Sequence, residues 1–280
     1  MPAALRRIAL IGKLRSAESE GLLREMREFL RKRGCEVLGE DDNTSADLAV
    51  VVGGDGSMLA AARDLVRHRV PLVGVNLGRV GFMTDIGHDD MQTGIGAILD
   101  GDYTIEERTL LDAEIRRGDA ALLRTIALNE AVVGKGAQGR LIEFELWLDG
   151  EFVYVLRADG MIVCTPTGST AYALSAQGPI LHPAVPALAL VPLNPHTLSA
   201  RPVSVSDRST IELRLVRALD AQAYFDGVAH ADLAEGDRLT LRRSADVMRF
   251  VHPPGYRYFA TLREKLRWSE APLRKGRNAE

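Results

Sequence analysis

Three polar clusters in the sequence carry residue types suited to chemistry on phosphates and sugar hydroxyls. The first is Gly53-Gly54-Asp55-Gly56-Ser57, set between a valine-rich apolar run, Ala46 to Val52, and a helical pattern from Met58 to His68. At such a corner the backbone N–H groups and the helix dipole face an anion, so Gly53, Gly54, Gly56 and Ser57 are candidate phosphate-binding positions. The turn is not a Walker A loop, since no Gly-Lys-Ser/Thr follows, and it lacks the GxGxxG spacing of the dinucleotide fingerprint. Asp55 is the informative residue. A carboxylate inside a phosphate cradle repels the ligand, which points to a base for an attacking hydroxyl or a partner for magnesium. A glycine turn whose Asp merely caps the helix has equal standing on spacing alone.

The second cluster runs through Arg157, Asp159 and Gly160 to Thr165-Pro166-Thr167-Gly168-Ser169-Thr170-Ala171-Tyr172-Ala173-Leu174-Ser175, with four hydroxyls between positions 165 and 170. Such a loop could line a ribose and an adenine edge, with Ser169 or Thr170 capping a helix that starts near Tyr172. An ordinary Ser/Thr turn with a cap explains the same residues. The third is Asn129-Glu130, an amide and a carboxylate after the apolar strand Ile126 to Leu128. Arg79, Lys135, Arg140 and Arg157 lie near glycines or in loops where they could meet phosphates, though solvated charge is the default. Neither an HExxH pair nor a GxSxG elbow occurs, so zinc-protease and serine-hydrolase chemistry find no support.

The elements that must position these clusters fall into two grammars. Arg7 to Ile11 reads as a buried strand, Ser19 to Arg33 as a helix, Ala46 to Val52 as a buried strand, and Pro71 to Asn76 as another. Strand, glycine turn, helix and strand make a parallel βαβ unit, hence an α/β N-terminal domain over 1–100. From about Gly101 a period of two prevails. Leu141 to Leu148, the turn Asp149-Gly150 and Glu151 to Leu156 predict a hairpin, and Asp226-Gly227 can turn a second. Alternation recurs in Thr210 to Val216, Ala221 to Phe225, Arg238 to Arg242 and Val247 to Val251. A β-rich, sandwich-like C-terminal domain over 101–257 is the expectation. Helical spacing returns from Tyr258 to Trp268, which is expected to pack back on the first domain, and the basic tail after Ala271 to be frayed.

Composition narrows the partners. In 280 residues, 35 basic against 38 acidic side chains leave a formal charge of −3, which argues against nucleic acid as the main partner. Cys35 and Cys164 stand far apart and outside any CxxC pattern, consistent with a reducing cytosol. No stretch reaches the roughly 18 apolar residues of a membrane span, and the N-terminal run lacks a secretory core and cleavage site. A cytoplasmic protein is expected.

Taken together, Gly53-Gly54-Asp55-Gly56, Asn129-Glu130, Asp159-Gly160, Thr165 to Ser175 and Gly178-Pro179-Ile180 resemble the signature of the NAD kinase family in order and spacing. Gly74-Val75-Asn76, Gly78-Arg79-Val80-Gly81-Phe82, Pro195 to Pro202 and Phe259 to Trp268 resemble further family segments, so the resemblance spans nearly the whole chain. The glycine turn is shared with lipid kinases and phosphofructokinases; the Thr165 to Ser175 run is far more specific. The resemblance implies an α/β domain and a β-rich domain with the active site between them. It implies Asp55 as the proton acceptor for the 2'-hydroxyl of NAD, ATP as phosphoryl donor with Mg2+ or another divalent cation, and no dedicated metal site in the protein. Asp55, Gly56, Phe82, Asn129, Glu130, Arg140, Arg157, Asp159, Thr167, Thr170, Ala171, Tyr172, Ala173, Leu174 and Ser175 match positions around the dinucleotide. Homo-oligomers, dimers or tetramers, are also implied, with neither nucleic acid nor membrane as partner. Departures are Val228, where relatives often carry a ligand-binding glutamine, Leu77, where many are polar or basic, and the small exchanges Ser57 and Cys164. The rival readings are a diacylglycerol- or sphingosine-type lipid kinase, which has the glycine turn, and a non-catalytic dinucleotide-binding regulator, which would gain nothing from Asp55.

Overall fold

The computed structural model describes residues 5–12, 17–78, 81–137 and 139–268. The chain divides into two compact units. The first comprises Met1–Ala61, Val70–Glu106 and Phe250–Glu280, and the second Ala62–Arg69 and Glu107–Arg249.

In chain order the elements of the N-terminal part are strand β1 (Arg7–Gly12), helix α1 (Ala17–Lys32), β2 (Glu36–Leu38), β3 (Leu48–Val52), α2 (Asp55–Leu65), β4 (Leu72–Asn76), β5 (Ile86–Gly87) and α3 (Met91–Leu99). The five strands are parallel in the order β5, β4, β3, β1, β2, with Ile8 opposite Leu48 and Val51 opposite Gly74. Every residue of β3 is buried, as befits a central parallel strand covered on both faces. Helix α1 turns Leu22, Leu23, Met26 and Leu30 into a core shared with Ile8, Val50, Val73 and Ile95. Met26 and Leu30 are wholly buried, each contributing about 1.5–3 kcal/mol of transfer free energy.

The chain continues through β6 (Thr104–Arg117), β7 (Ala120–Ala127), β8 (Glu130–Lys135), β9 (Ile142–Leu148), β10 (Glu151–Ala158), β11 (Gly160–Cys164), α4 (Tyr172–Ser175), β12 (Ala187–Leu193), β13 (Val203–Ser206), β14 (Ile211–Arg217), β15 (Ala221–Phe225), β16 (Ala229–Leu233), β17 (Arg238–His252) and α5 (Tyr258–Leu266). In the second unit β10, β9, β14 and β17 form one antiparallel sheet, and β13, β12, β11, β8, β15 and β16 another. Their inner faces share one core: Phe144, Leu213 and Leu239 from the first meet Val133, Met161, Leu190 and Phe225 from the second. This is sandwich packing.

Several elements depart from the sequence reading. Helix α2 begins at Asp55, not Met58. The predicted strands Arg238 to Arg242 and Val247 to Val251 are one, β17. Adjacent exposed Arg242 and Arg243 interrupt the alternation there, while Arg243 is satisfied by Asp207 at 2.7 Å. Helix α3 has two glycines that mask its helical pattern, and burial of Met91, Ile95 and Ile98 holds it. The expected strand Ile126 to Leu128 falls at the end of the longer β7, which pairs with β6 in a hairpin that the sequence reading does not name.

Candidate functional site

Asp55 opens α2 directly after the buried strand β3, half-exposed at the corner. Its carboxylate does not cap its own helix. Instead Oδ2 accepts from the Phe82 amide and Oδ1 from the Met83 amide, each at 3.0 Å. The turn that supplies these amides is tied at both ends: the Thr84 hydroxyl accepts from the Gly81 amide at 2.7 Å and from Asn76 Nδ2 at 3.1 Å. Asn76 Oδ1 in turn accepts from the Gly78 amide at 2.7 Å. A Cβ at Gly81 would collide with the Asp55 carboxylate and stand 2.9 Å from the Thr84 hydroxyl, so only glycine permits this approach. Two N–H donors leave lone pairs on a carboxylate, so Asp55 is oriented without losing its capacity to accept a proton. Gly54 and Gly56 are exposed beside it, and Ser57 is half-buried. The Phe82 backbone thus acts on Asp55 itself. Met83 and Thr84 were not legible as site residues, because nothing local marks a backbone donor that serves a carboxylate across 28 positions.

In the second unit Asn129 lies between β7 and β8 and Glu130 opens β8, and both are nearly fully buried. Asp226, in the turn between β15 and β16, gathers their backbone: its carboxylate accepts from Leu128 at 2.9 Å, Asn129 at 2.8 Å and Glu130 at 3.2 Å. Arg63 lies 3.8 Å from the same carboxylate. Asn129 Oδ1 and Glu130 Oε2 find no hydrogen-bond partner among the described residues. Buried acceptors in that condition are costly unless donors reach them. Burial, with Asp226 adding like charge, pushes the Glu130 carboxyl up to about 7. Burial also raises Asp226, against the pull of its three amide donors and Arg63.

The Thr165 to Ser175 segment docks onto this strand connection. The Thr165 hydroxyl donates to the Leu128 carbonyl at 2.5 Å and accepts from the Gly168 amide at 3.2 Å, while the Thr165 amide donates to the Asn129 carbonyl at 2.9 Å. A Cβ on Gly168 would fall 2.8 Å from Asn129 Cα. The expected helix cap is corrected. Ser169 instead donates to the Pro166 carbonyl at 2.6 Å and accepts from the Leu181 amide at 3.0 Å, and Thr170 donates to the Thr167 carbonyl at 3.1 Å. Buried Arg108 donates to the Thr167 hydroxyl at 3.3 Å, a contact between residues too distant in sequence to be foreseen. Ala173 is fully buried, Ala171 and Leu174 are half-buried, and Tyr172 and Ser175 are exposed.

A pocket of about 270 Å3 brings Asp159 and Tyr172 together with Lys135, Asn194 and Tyr224. Lys135 is not a free phosphate ligand, since its ammonium lies 2.7 Å from Asp159, which also accepts from Asn194 at 2.8 Å. The hydrogen bonds from Lys135 and Asn194 hold the Asp159 carboxyl below the usual range. The remaining predicted residues stand apart from this cluster of contacts: Arg157 is exposed on β10 and lies 3.7 Å from Glu143, and Arg140 is exposed in the loop before β9. Arg79 and the tail after Ala271 lie outside the described residues. Among the described residues, no group of three or more His, Cys, Asp and Glu is arranged to hold a metal ion, and no helix is long and apolar enough to cross a membrane.

Comparison with known proteins gives these positions a context. The family model for the ATP-NAD kinase N-terminal domain matches residues 37–103, and that for the C-terminal domain matches residues 128–253. The NAD kinase of Aromatoleum aromaticum is 52% identical over 98% of either chain, and that of an Azoarcus species 50% identical over 97% of this chain and 99% of its own. Among solved structures, yeast NADH kinase complexed with NADH has a TM-score of 0.84 at 22% identity, covering 99% of this chain and 91% of that one; it speaks to the fold alone. An NAD kinase from Archaeoglobus fulgidus in complex with ATP has a TM-score of 0.79 at 28% identity, covering 93% of this chain and 98% of that one. With both halves of the family pattern matched and relatives half identical along nearly the full length, the chain belongs to the NAD kinase family.

Proposed function

We propose that this protein moves the γ-phosphoryl group of ATP onto the 2'-hydroxyl of the adenosine ribose of NAD, with Asp55 as the proton acceptor. The observation that carries this reading is the Asp55 carboxylate, fixed by the Phe82 and Met83 amides at a glycine-rich strand-to-helix corner. In the reaction Asp55 takes the hydroxyl proton, the ribose oxygen bonds to the γ-phosphorus, and the bond to the bridging oxygen breaks to release ADP. Little covalent work falls to the protein, which orients the reactants and stabilises charge.

The exposed backbone of Gly54 and Gly56 is read as facing the triphosphate. The Gly53 amide instead donates to the Val75 carbonyl at 2.8 Å and the Ser57 amide to the Gly54 carbonyl at 2.9 Å, so the sequence expectation that all four positions serve phosphate is narrowed to two. Mg2+ or another divalent cation enters with ATP and neutralises phosphate charge. The unpartnered oxygens of Asn129 and Glu130 suit the donors of a ribose or an adenine amine. Asp159 and Tyr172 line a pocket in unit two, and Thr167, Thr170, Ala171, Ala173, Leu174, Ser175, Arg140 and Arg157 are read, on the family resemblance, as further positions around the dinucleotide. The protein is read as cytoplasmic and as a homo-oligomer; the apolar Phe152, Val153 and Val155, exposed on sheet-end strand β10, suit a second copy.

The test is to incubate purified protein with magnesium-ATP and NAD, NADH or a lipid alcohol and identify which product gains phosphate by mass spectrometry. Phosphate appearing on the lipid and not on the dinucleotide would sink the reading. Asp55→Asn should keep NAD binding and lower kcat by about 100- to 10,000-fold, the span of general-base catalysis; turnover near normal would remove Asp55 as the base.

A further inference from the structure

Outside the residues just assigned, the first unit buries a second charged cluster. His252, the last residue of β17, is 3% exposed. Its Nδ1 lies 2.5 Å from Asp85 Oδ2 and its Nε2 lies 3.0 Å from Glu106 Oε2. Its ring stacks on Tyr256 with centroids 3.8 Å apart and planes 7° from parallel. An ionised carboxylate only accepts, so a ring facing one at each nitrogen must donate twice, which only the imidazolium does. Burial would lower the histidine's affinity for its proton, but Asp85 and Glu106 more than offset this and hold it above the ordinary value.

The place of this cluster in the chain gives it a consequence for the active site. Asp85 directly follows Thr84 and lies two residues beyond Met83. From Gly81 to Asp85 the backbone and side chains are therefore tied in succession: Gly81 to Thr84, Phe82 and Met83 to Asp55, and Asp85 to His252. The other carboxylate partner, Glu106, is on β6, so the imidazolium joins this turn to a regular strand.

We propose that His252 is a positioning residue for phosphoryl transfer: its imidazolium clamps Asp85 and so keeps the Phe82 and Met83 amides against Asp55. The inference rests on Asp55 being the base. It identifies a residue that touches neither substrate yet sets the geometry of the proton acceptor. Charged and titratable groups facing the ring are Asp85, Glu106 and Tyr256. Because the histidine's pKa is raised in the fold, the clamp is complete at low pH and is lost as pH rises through that value.

The experiment is a double-mutant cycle read as kcat and KM. His252→Asn should lower kcat about 10- to 100-fold, the scale of a misplaced catalytic group, with KM for NAD and ATP within about threefold of the parent. Introduced into Asp55→Asn, it should lower the residual rate by no more than about twofold, because its effect runs through Asp55. A cluster that only stabilises the fold would impose its full factor in both backgrounds, and that result overturns the proposal, as does unchanged kcat in His252→Asn. If the variant does not fold, the unsubstituted protein decides: kcat should fall as pH rises through the His252 midpoint followed by NMR of the ring, and a flat profile across that midpoint overturns it. An inactive Asp55→Asn beside a normal His252→Asn sinks the clamp alone, whereas a normal Asp55→Asn sinks the assignment of the base beneath it.

Discussion

Glu130 combines two demands that conflict. On the proposed function a ligand with hydroxyl or amine donors would use its buried oxygens, and the fold must bear the cost of burying a carboxyl next to Asp226. The folded value of about 7, against 4.5 for an unperturbed glutamate, means that the folded chain holds this proton more tightly than the unfolded chain. The contribution to stability is complete below pH 4.5 and is lost as pH rises through about 7. Glu130→Gln, which is neutral at every pH, should therefore raise the melting temperature more at pH 8 than at pH 5 in the absence of NAD, and should weaken NAD binding about 10-fold or more through the lost charge-assisted hydrogen bonds. Calorimetry at the two pH values, with NAD titrated into both proteins, checks this; equal melting shifts at the two pH values would contradict the assigned cause. At the same scale, Asp55 illustrates how little of a residue's role lies in its type. The carboxylate was legible as chemistry because a negative charge in a phosphate turn needs a reason, yet its orientation comes from amides 27 and 28 positions away.

Among the elements, the connection from β7 to β8 and the Thr165 to Ser175 segment behave as one piece. Thr165 donates to the Leu128 and Asn129 carbonyls, Gly168 presses its bare Cα side against Asn129, and Asp226 accepts from the amides of Leu128, Asn129 and Glu130. A methyl group at position 168 has no room, because the nearest atoms belong to backbone and not to a side chain that can swing away. Gly168→Ala should cost about 1–3 kcal/mol, the usual penalty of overpacking, and raise KM for NAD more than it lowers kcat. Urea unfolding and steady-state kinetics would show it; an unperturbed midpoint would mean that the segment is not held as described. Hairpins were the elements most readily seen in advance. Asp149-Gly150 and Asp226-Gly227 each adopt positive φ at both residues and join antiparallel neighbours, since that turn chemistry is local. Helix α3 and the division of labour along β17 were not, because burial by distant partners overrode a weak local pattern.

For the molecule as a whole, the charge of −3 is no obstacle to anionic substrates, because oriented amides at a helix start and local cations can hold a phosphate whatever the net charge. Binding to the folded state alone stabilises it by mass action: NAD at about 100 times its Kd adds about 2.7 kcal/mol. For a chain of this length that corresponds to a rise in melting temperature of about 5 °C. Thermal-shift measurement should find that rise with NAD and none with an equal excess of a lipid alcohol. The reverse pattern would favour the lipid kinase reading.

The period of apolar residues, the turn dipeptides and the polar clusters depend on neighbours a few positions apart, so the linear sequence was enough to establish an α/β part followed by a β-rich part, the Asp55 corner, and the family resemblance that the comparisons then matched. What it could not hold is the set of closures between distant positions. The amides that grip Asp55, the Asp226 carboxylate that gathers Leu128 to Glu130, the Arg108 contact to Thr167 and the Asp85–His252–Glu106 cluster are closed by contacts that span from 27 to 167 positions. Each exists only once particular strands and turns have come together, and a donor or acceptor carries no local mark of which distant partner will satisfy it.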